Sequence, residues 1–98
     1  MLITPTLAIP PPRLGELSGT PEDPLAGTRK VAEVAPYTVP FNVTGQPAMS
    51  LPLAWSQAGL PIGVQLVASA HREDLLFRIA SQLESEKPWY ERRPALFG

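Results

Sequence analysis

Residues 48–68 carry the clearest alternation of large and small side chains in the chain. In the first part, every second position holds a larger apolar residue: Met49, Leu51, Leu53 and Trp55. Because successive side chains of a strand point to opposite faces, this alternation predicts a β-strand. A similar run follows the loop around Gly59, a residue that tolerates the positive φ of tight turns. We therefore predict a β-hairpin with strands at 48–55 and 61–68.

A different periodicity follows the hairpin. Apolar residues recur every three or four positions, at Leu75, Leu76, Ile79, Ala80 and Leu83. This spacing places them on one stripe of an α-helix. Asp74 in the first turn suits the positive end of the helix dipole and can pair with Arg78, four residues later. We predict an amphipathic helix at 73–86, ended by Pro88, that covers one face of the hairpin.

Prolines are concentrated in the first half of the chain, since nine of the thirteen precede residue 48. Each proline fixes φ and lacks a backbone donor, so residues 1–36 are predicted to be mostly loop. Two exceptions are expected within this stretch. Residues 2–4 favour a short strand end, and residues 28–33 favour a helix start that breaks near Pro36.

A short helix is predicted immediately before the hairpin, at 38–44. The hydroxyl of Thr38 is suited to capping its first turn, where Pro40 is also tolerated. Gly45 accepts the left-handed conformation that ends many helices.

Both faces of the predicted hairpin are poor in polar residues, and the single final helix can shield only one of them. A hairpin without a covered face is marginal in water. We therefore expect the chain to be part of a larger fold and to self-associate when isolated. Gln65 is a polar exception within the second strand, where an unpaired amide costs about 1–3 kcal/mol. We expect it to bond to structure outside this chain rather than to contact substrate.

Composition narrows the function classes. Ninety-eight residues allow one small domain, and 8 basic against 9 acidic residues leave a net charge of −1. No basic patch follows from this balance, so nucleic-acid binding is not expected. The absence of cysteine fits a reducing compartment, and no apolar run reaches membrane-spanning length. We expect a cytoplasmic protein that does not bind a membrane.

Residues that commonly carry catalysis are scarce. His71 is the single histidine, and Lys30 and Lys87 are the only lysines. His71 lacks the neighbouring pattern of a catalytic triad and is interpreted as a surface or loop residue. The lysines occupy a polar stretch and a helix end, which offer no visible site for serine–lysine catalysis. No metal-ligand or phosphate-binding motif occurs, so we predict no catalytic residue, metal or cofactor.

Two runs resemble the C-terminal part of amidase-signature enzymes. They are YTVPFNVTGQPAMSLPL at residues 37–53 and GLPIGVQLV at residues 59–67. With flanking elements that resemble the family, the similarity covers residues 2–86. It implies an α/β protein, the C-terminal part of a mixed-sheet α/β/α sandwich. Residues 1–98 would then be part of one amidase domain, with a proline-rich loop at 1–36 and a hairpin and helix unit at 37–98.

The resemblance also implies an activity for the parent protein. Family members hydrolyse carboxamide C–N bonds with a serine nucleophile, a second serine in a cis peptide and a lysine base, and these residues lie upstream. The implied partner is thus the missing N-terminal portion, the implied substrate is a small-molecule amide, and the 98-residue chain alone is expected to be inactive. The alternative is a non-catalytic interaction module with an amidase-like fold, which predicts a folded, soluble isolated chain.

By the same resemblance, Ala35, Thr38 and Val39 are candidate walls of the acyl pocket. In glutamine-using amidotransferases of the family, the position matching Ala35 is usually an aspartate that receives the ammonium group of the substrate. Ala35 therefore argues against a glutamine substrate. A second departure is Arg72, which stands where relatives often have a helix-capping residue.

Overall fold

The computed structural model describes residues 1–94. Its elements follow in the order β1 (Leu2–Pro5), α1 (Ala26–Val34), α2 (Val39–Thr44), β2 (Ala48–Trp55), β3 (Pro61–Val67) and α3 (Glu73–Glu86). The α/β class is confirmed, and the hairpin and the two later helices lie within one residue of their predicted bounds. The last four positions of the predicted unit 37–98 lie outside the described residues. No helix within residues 1–94 is both long enough and apolar enough to cross a membrane.

The three strands form one antiparallel sheet in the order β1-β3-β2. Strand β3 is central, so it pairs with β1 on one side and with β2 on the other. In one row of the sheet, Leu66 of β3 lies between Ile3 and Met49. Neighbouring residues of a strand point to opposite faces, yet Leu66 and Val67 are both only 1% exposed. Strand β3 is therefore covered on both faces near its end.

Helix α3 covers one face of the sheet. The buried cluster between them consists of Leu51, Leu66, Ala68 and Leu76. Partly buried apolar side chains surround it, among them Ile79 and Leu83 of the predicted helical stripe. Each large side chain that is removed from water here stabilises the fold by about 1.5–3 kcal/mol. The stripe predicted from the sequence is thus the surface that packs on the hairpin.

Helix α1 begins at Ala26, two residues before the predicted start, because the connector that precedes it packs against its first turn. Gly27 is buried, and a Cβ atom at this position would lie only 2.0 Å from the carbonyl oxygen of Leu17. Glycine is therefore the residue that permits this close approach. The helix ends before Ala35, whose backbone N–H donates to the carbonyl of Val31 at 2.9 Å.

Helix α2 ends as predicted but begins differently. Gly45 adopts φ 75° and donates its N–H to the carbonyl of Phe41 at 3.0 Å, which completes the left-handed end. The predicted cap by Thr38 is wrong, since its side chain makes no capping hydrogen bond to the helix. The Thr38 hydroxyl instead donates backwards to the carbonyl of Ala35 at 3.5 Å.

The start of α3 also differs from its prediction. Asp74 does not form its ion pair with Arg78 but with Arg72, whose Nε lies 3.1 Å from Oδ1 of Asp74. The hydrogen bond from Arg72 is the largest cause that holds the pKa of Asp74 below its ordinary value of 3.8, and Arg78 contributes the least. Arg72 thus contacts the first turn of α3 through the carboxylate of Asp74.

The molecule exposes more surface than its mass requires. Its accessible surface is 7358 Å², whereas a compact protein of the same mass exposes about 5,500 Å². Its radius of gyration is 15.9 Å, against about 13 Å for a compact domain of this length. Much of the excess is apolar: Leu2 and Ile3 of β1 are 50% and 62% exposed. The expectation that one helix leaves part of the sheet uncovered is correct for the outer strands and for the start of β3, and wrong for residues 65–67 of β3.

We predict that the isolated chain associates. The exposed apolar side chains of β1, together with the free backbone groups of this edge strand, favour pairing with a second copy. Sedimentation velocity at increasing protein concentration should show species larger than 10.6 kDa. Ile3→Lys, which charges this edge, should reduce association, whereas Glu84→Lys on α3 should not. A monomer at all concentrations that melts sharply would contradict the prediction.

We also predict that Arg72→Ala moves the pKa of Asp74 up toward 3.8, because the donor that favours its charged form is removed. The folded-state pKa of Asp74 is lowered, so its stabilising contribution is present above pH 3.8 and is lost as the pH falls through the folded value. Titration of the side-chain carboxyl carbon by NMR measures this change. Arg78→Ala is the matched control and should have a smaller effect, and equal shifts in the two variants would refute the assignment.

Candidate functional site

The face of the sheet opposite α3 carries a group of polar side chains. One row of the sheet places Gln65 of β3 between Thr4 and Ser50. Thr6 follows at the end of β1, where its N–H donates to the carbonyl of Gly63 at 3.1 Å. These positions alternate with the apolar ones that face α3. The hydroxyl and amide groups therefore converge on a single face, which we call the polar face.

Gln65 is the most buried member of the polar face, at 4% exposure. Its Nε2 donates two hydrogen bonds of 2.9 Å, one to the hydroxyl of Thr4 and one to the carbonyl of Tyr37. Both amide hydrogens are thus used within this chain. The prediction that Gln65 bonds to structure outside the chain was wrong. The partner is the turn between α1 and α2, which approaches the sheet from 28 residues away in sequence.

The segment that contains α2 is attached to the sheet at its other end as well. Nε2 of Gln46 donates to the carbonyl of Ala68 at 3.2 Å, and the N–H of Ala68 donates to the carbonyl of Pro47 at 3.1 Å. Two glutamine amides therefore hold residues 37–46, one at each end of α2. Fixed ends restrict the orientation of a short helix that has no buried side chain of its own.

The three predicted pocket residues lie together in the turn between α1 and α2. Ala35 and Thr38 are half-buried, and they are joined by the hydrogen bond between the Thr38 hydroxyl and the Ala35 carbonyl. Val39 is 54% exposed at the start of α2. The turn thus presents a methyl group, a hydroxyl and an isopropyl group, and Gln65 fixes its position through the intervening carbonyl of Tyr37. These three side chains form a largely apolar surface without charge.

A second polar contact crosses the sheet over Gly63. The hydroxyls of Thr6 and Ser50 lie 2.7 Å apart although 44 residues separate them. A Cβ atom on Gly63 would lie 2.7 Å from Oγ of Ser50 and 2.8 Å from Oγ1 of Thr6. The missing side chain of Gly63 is therefore what allows the two hydroxyls to meet.

The other candidate residues lie in separate places. His71 is exposed in the loop before α3, with the uncommon positive φ of 65°. Lys30 lies on α1 with Nζ 3.8 Å from Oε2 of Glu33, and Lys87 is exposed after α3. Within residues 1–94, the observed hydrogen bonds include none between a serine or threonine hydroxyl and a lysine. The polar face thus offers no serine–lysine pair in the described part of the chain.

Sequence reasoning did not identify the contacts of Thr4, Thr6, Ser50 and Gln46. The strand alternation does place Thr4 and Ser50 on one face with Gln65 once the register is known. Their partners are set by pairing between distant segments, which a single sequence does not reveal. The polar character of alternate positions was the one available signal.

The arrangement of an antiparallel hairpin, a covering helix and a turn fixed on the opposite face is shared with solved hydrolases. A structure of 6-aminohexanoate cyclic dimer hydrolase superposes with a TM-score of 0.87 and 46% sequence identity over 98% of this chain and 21% of that chain. A second structure of that hydrolase, in complex with substrate, matches equally well. The fold is thus that of one portion of a hydrolase.

Sequence comparison identifies the family. The family described as Amidase matches residues 1–77. The 6-aminohexanoate-cyclic-dimer hydrolase of Paenarthrobacter ureafaciens is 46% identical over 98% of this chain and 20% of its own length. The putative amidase AmiC of Mycobacterium tuberculosis is 42% identical over 91% of this chain and 18% of its own length. This chain belongs to the amidase family.

The relatives are much longer than this chain. It spans about a fifth of the length of the hydrolase and AmiC sequences that it matches. In the structural comparison, likewise, it covers 21% of the solved hydrolase. These shares agree with the predicted C-terminal portion of an amidase-signature hydrolase.

We predict that Gly63→Ala destabilises the sheet by about 1 kcal/mol, because the added methyl group separates the hydroxyls of Thr6 and Ser50. The double variant Ser50→Ala/Gly63→Ala should lose less than the sum of the single changes, since the first substitution makes room for the methyl. Urea unfolding followed by tryptophan fluorescence, at one fixed protein concentration, measures both effects. Additive losses would show that the hydroxyls do not occupy the space over Gly63.

Proposed function

We propose that this chain is the C-terminal structural and pocket-forming segment of an amidase that hydrolyses carboxamide C–N bonds. In this amidase the segment supplies sheet strands, a covering helix and one wall of the acyl pocket. The observation that carries the proposal is the agreement of fold and sequence with a cyclic-amide hydrolase across almost the whole chain. The exposed apolar side chains of β1, Leu2 and Ile3, support it, because such side chains suit burial against further chain.

The chemistry that we propose for the parent uses a serine nucleophile, a second serine in a cis peptide and a lysine base from an upstream segment. The base removes the proton of the nucleophile, which then adds to the amide carbonyl carbon. Backbone donors stabilise the oxyanion that forms, and the amine leaves with a proton when the C–N bond breaks. Water then hydrolyses the acyl-enzyme. The 98-residue chain alone should be inactive, since it contributes none of these groups in this scheme.

The substrate class follows from the proposed wall. The methyl of Ala35 and the isopropyl of Val39 are apolar, and neither can pair with an ammonium group. We therefore expect an aliphatic acyl chain rather than glutamine. The first substrate to test is the cyclic dimer of 6-aminohexanoate, which names the relative with 46% identity. A cytoplasmic location for the parent is part of the same proposal.

The test replaces the matching fifth of the Paenarthrobacter hydrolase with this chain, which gives a hybrid hydrolase. We expect the hybrid to fold and to release linear product from the cyclic dimer, within about tenfold of the unaltered hydrolase, because the two segments share 46% of their residues. Product formation by chromatography measures activity, and circular dichroism confirms folding.

The control is the hybrid with Leu66→Asp, which places a charge at a buried core position and should abolish folding and activity together. Ala35→Asp in the hybrid should weaken binding of the neutral substrate. A folded hybrid without hydrolysis of any amide would overturn the proposal and favour the alternative, a non-catalytic interaction module.

A further inference from the structure

Gln65 joins two parts of the molecule that have different tasks. One amide hydrogen bond reaches Thr4 within the sheet, and the other reaches the carbonyl of Tyr37 in the turn that carries Ala35, Thr38 and Val39. The first hydrogen bond joins two paired strands, and the second holds the turn against the sheet. A single buried side chain therefore couples the sheet to the proposed pocket wall.

The hydrogen bond from Gln65 to Tyr37 can fix the position of the proposed pocket wall. The Tyr37 carbonyl lies between Ala35 and Thr38 in sequence, and the turn has a further internal bond from the Thr38 hydroxyl to Ala35. The turn follows Val34, which is 5% exposed and accepts a 2.9 Å hydrogen bond from the N–H of Ala8, whereas no side chain of α2 beyond the turn is fully buried. Because Gln65 is 4% exposed, water cannot readily replace its amide as a donor. The attachment at Gln46 lies at the far end of α2 and does not substitute for it.

We infer that Gln65 is a positioning residue for substrate binding, which acts on the acyl pocket through the carbonyl of Tyr37 and does not touch substrate. The inference rests on the proposed function of the turn as a pocket wall. It distinguishes Gln65 from a residue that only stabilises the sheet. A displaced wall weakens the fit of the acyl chain, whereas the reacting carbonyl and the upstream catalytic groups keep their geometry.

The decisive variant is Gln65→Met in the hybrid hydrolase, because methionine has a similar length and flexibility but no donor. We expect KM for the cyclic dimer to rise about tenfold, the effect of one lost hydrogen bond, while kcat changes less than about twofold. KM should be measured where chemistry is slow relative to substrate dissociation, so that it approximates the dissociation constant.

Thr4→Val is the matched control, since it removes the other partner of the Gln65 amide and leaves the bond to Tyr37 in place. It should leave KM within about twofold of the unaltered hybrid. If Thr4→Val raises KM as much as Gln65→Met, or if Gln65→Met leaves KM unchanged, the positioning role is overturned.

Hydrogen exchange separates this inference from the proposed function. In the hybrid, Gln65→Met should speed exchange of the amides at residues 37–44 and leave those of β2 and β3 unchanged. Uniformly faster exchange would mean that Gln65 only stabilises the fold, and would overturn the inference. An unaltered hybrid that is folded but inactive would instead count against the proposed function, while the exchange pattern would still report on the attachment of the turn.

Discussion

Burial of the last three residues of strand β3, 65–67, on both faces is the constraint on which the rest of the structure depends. Its neighbours β1 and β2 satisfy its backbone groups from either side, and α3 covers the face that carries Leu66. Val67 on the other face is equally buried. A strand in this position has little access to water, so any polar side chain on it needs a partner within the protein. That requirement makes Gln65 the organising polar residue of the chain.

The amide of Gln65 meets this requirement by donating hydrogen bonds to two distant segments, β1 and the turn before α2. The turn is consequently attached to the sheet between buried Val34 and a short helix that has no fully buried side chain. A wall that is held by a directed hydrogen bond has a defined position at low cost in buried surface. This is a suitable way to place small side chains such as Ala35 beside a pocket. The connection between the core and the proposed site thus consists of buried Val34 at the end of α1 and the amide of Gln65.

The same burial is incomplete toward the edges of the sheet. Leu2 and Ile3 are exposed and contribute to the accessible surface of 7358 Å². The chain spans about a fifth of the length of the relatives that it matches. Within a larger α/β fold, an edge strand and the uncovered side of a hairpin are ordinary interior surfaces. In water they favour association. The apolar character of these positions is therefore best understood as belonging to a larger assembly of chain.

The sequence by itself determined the local elements. These elements depend on backbone geometry and on nearby residues, which one sequence displays. They include the alternation at 48–55, the helical stripe at 73–86 and the helix end at Gly45. The tertiary structure decided which distant groups meet. Gln65 and Thr4 are 61 residues apart, and Gln65 and Tyr37 are 28 residues apart. Such contacts follow from strand order and register, and these are set by the burial of the whole sheet rather than by any local pattern.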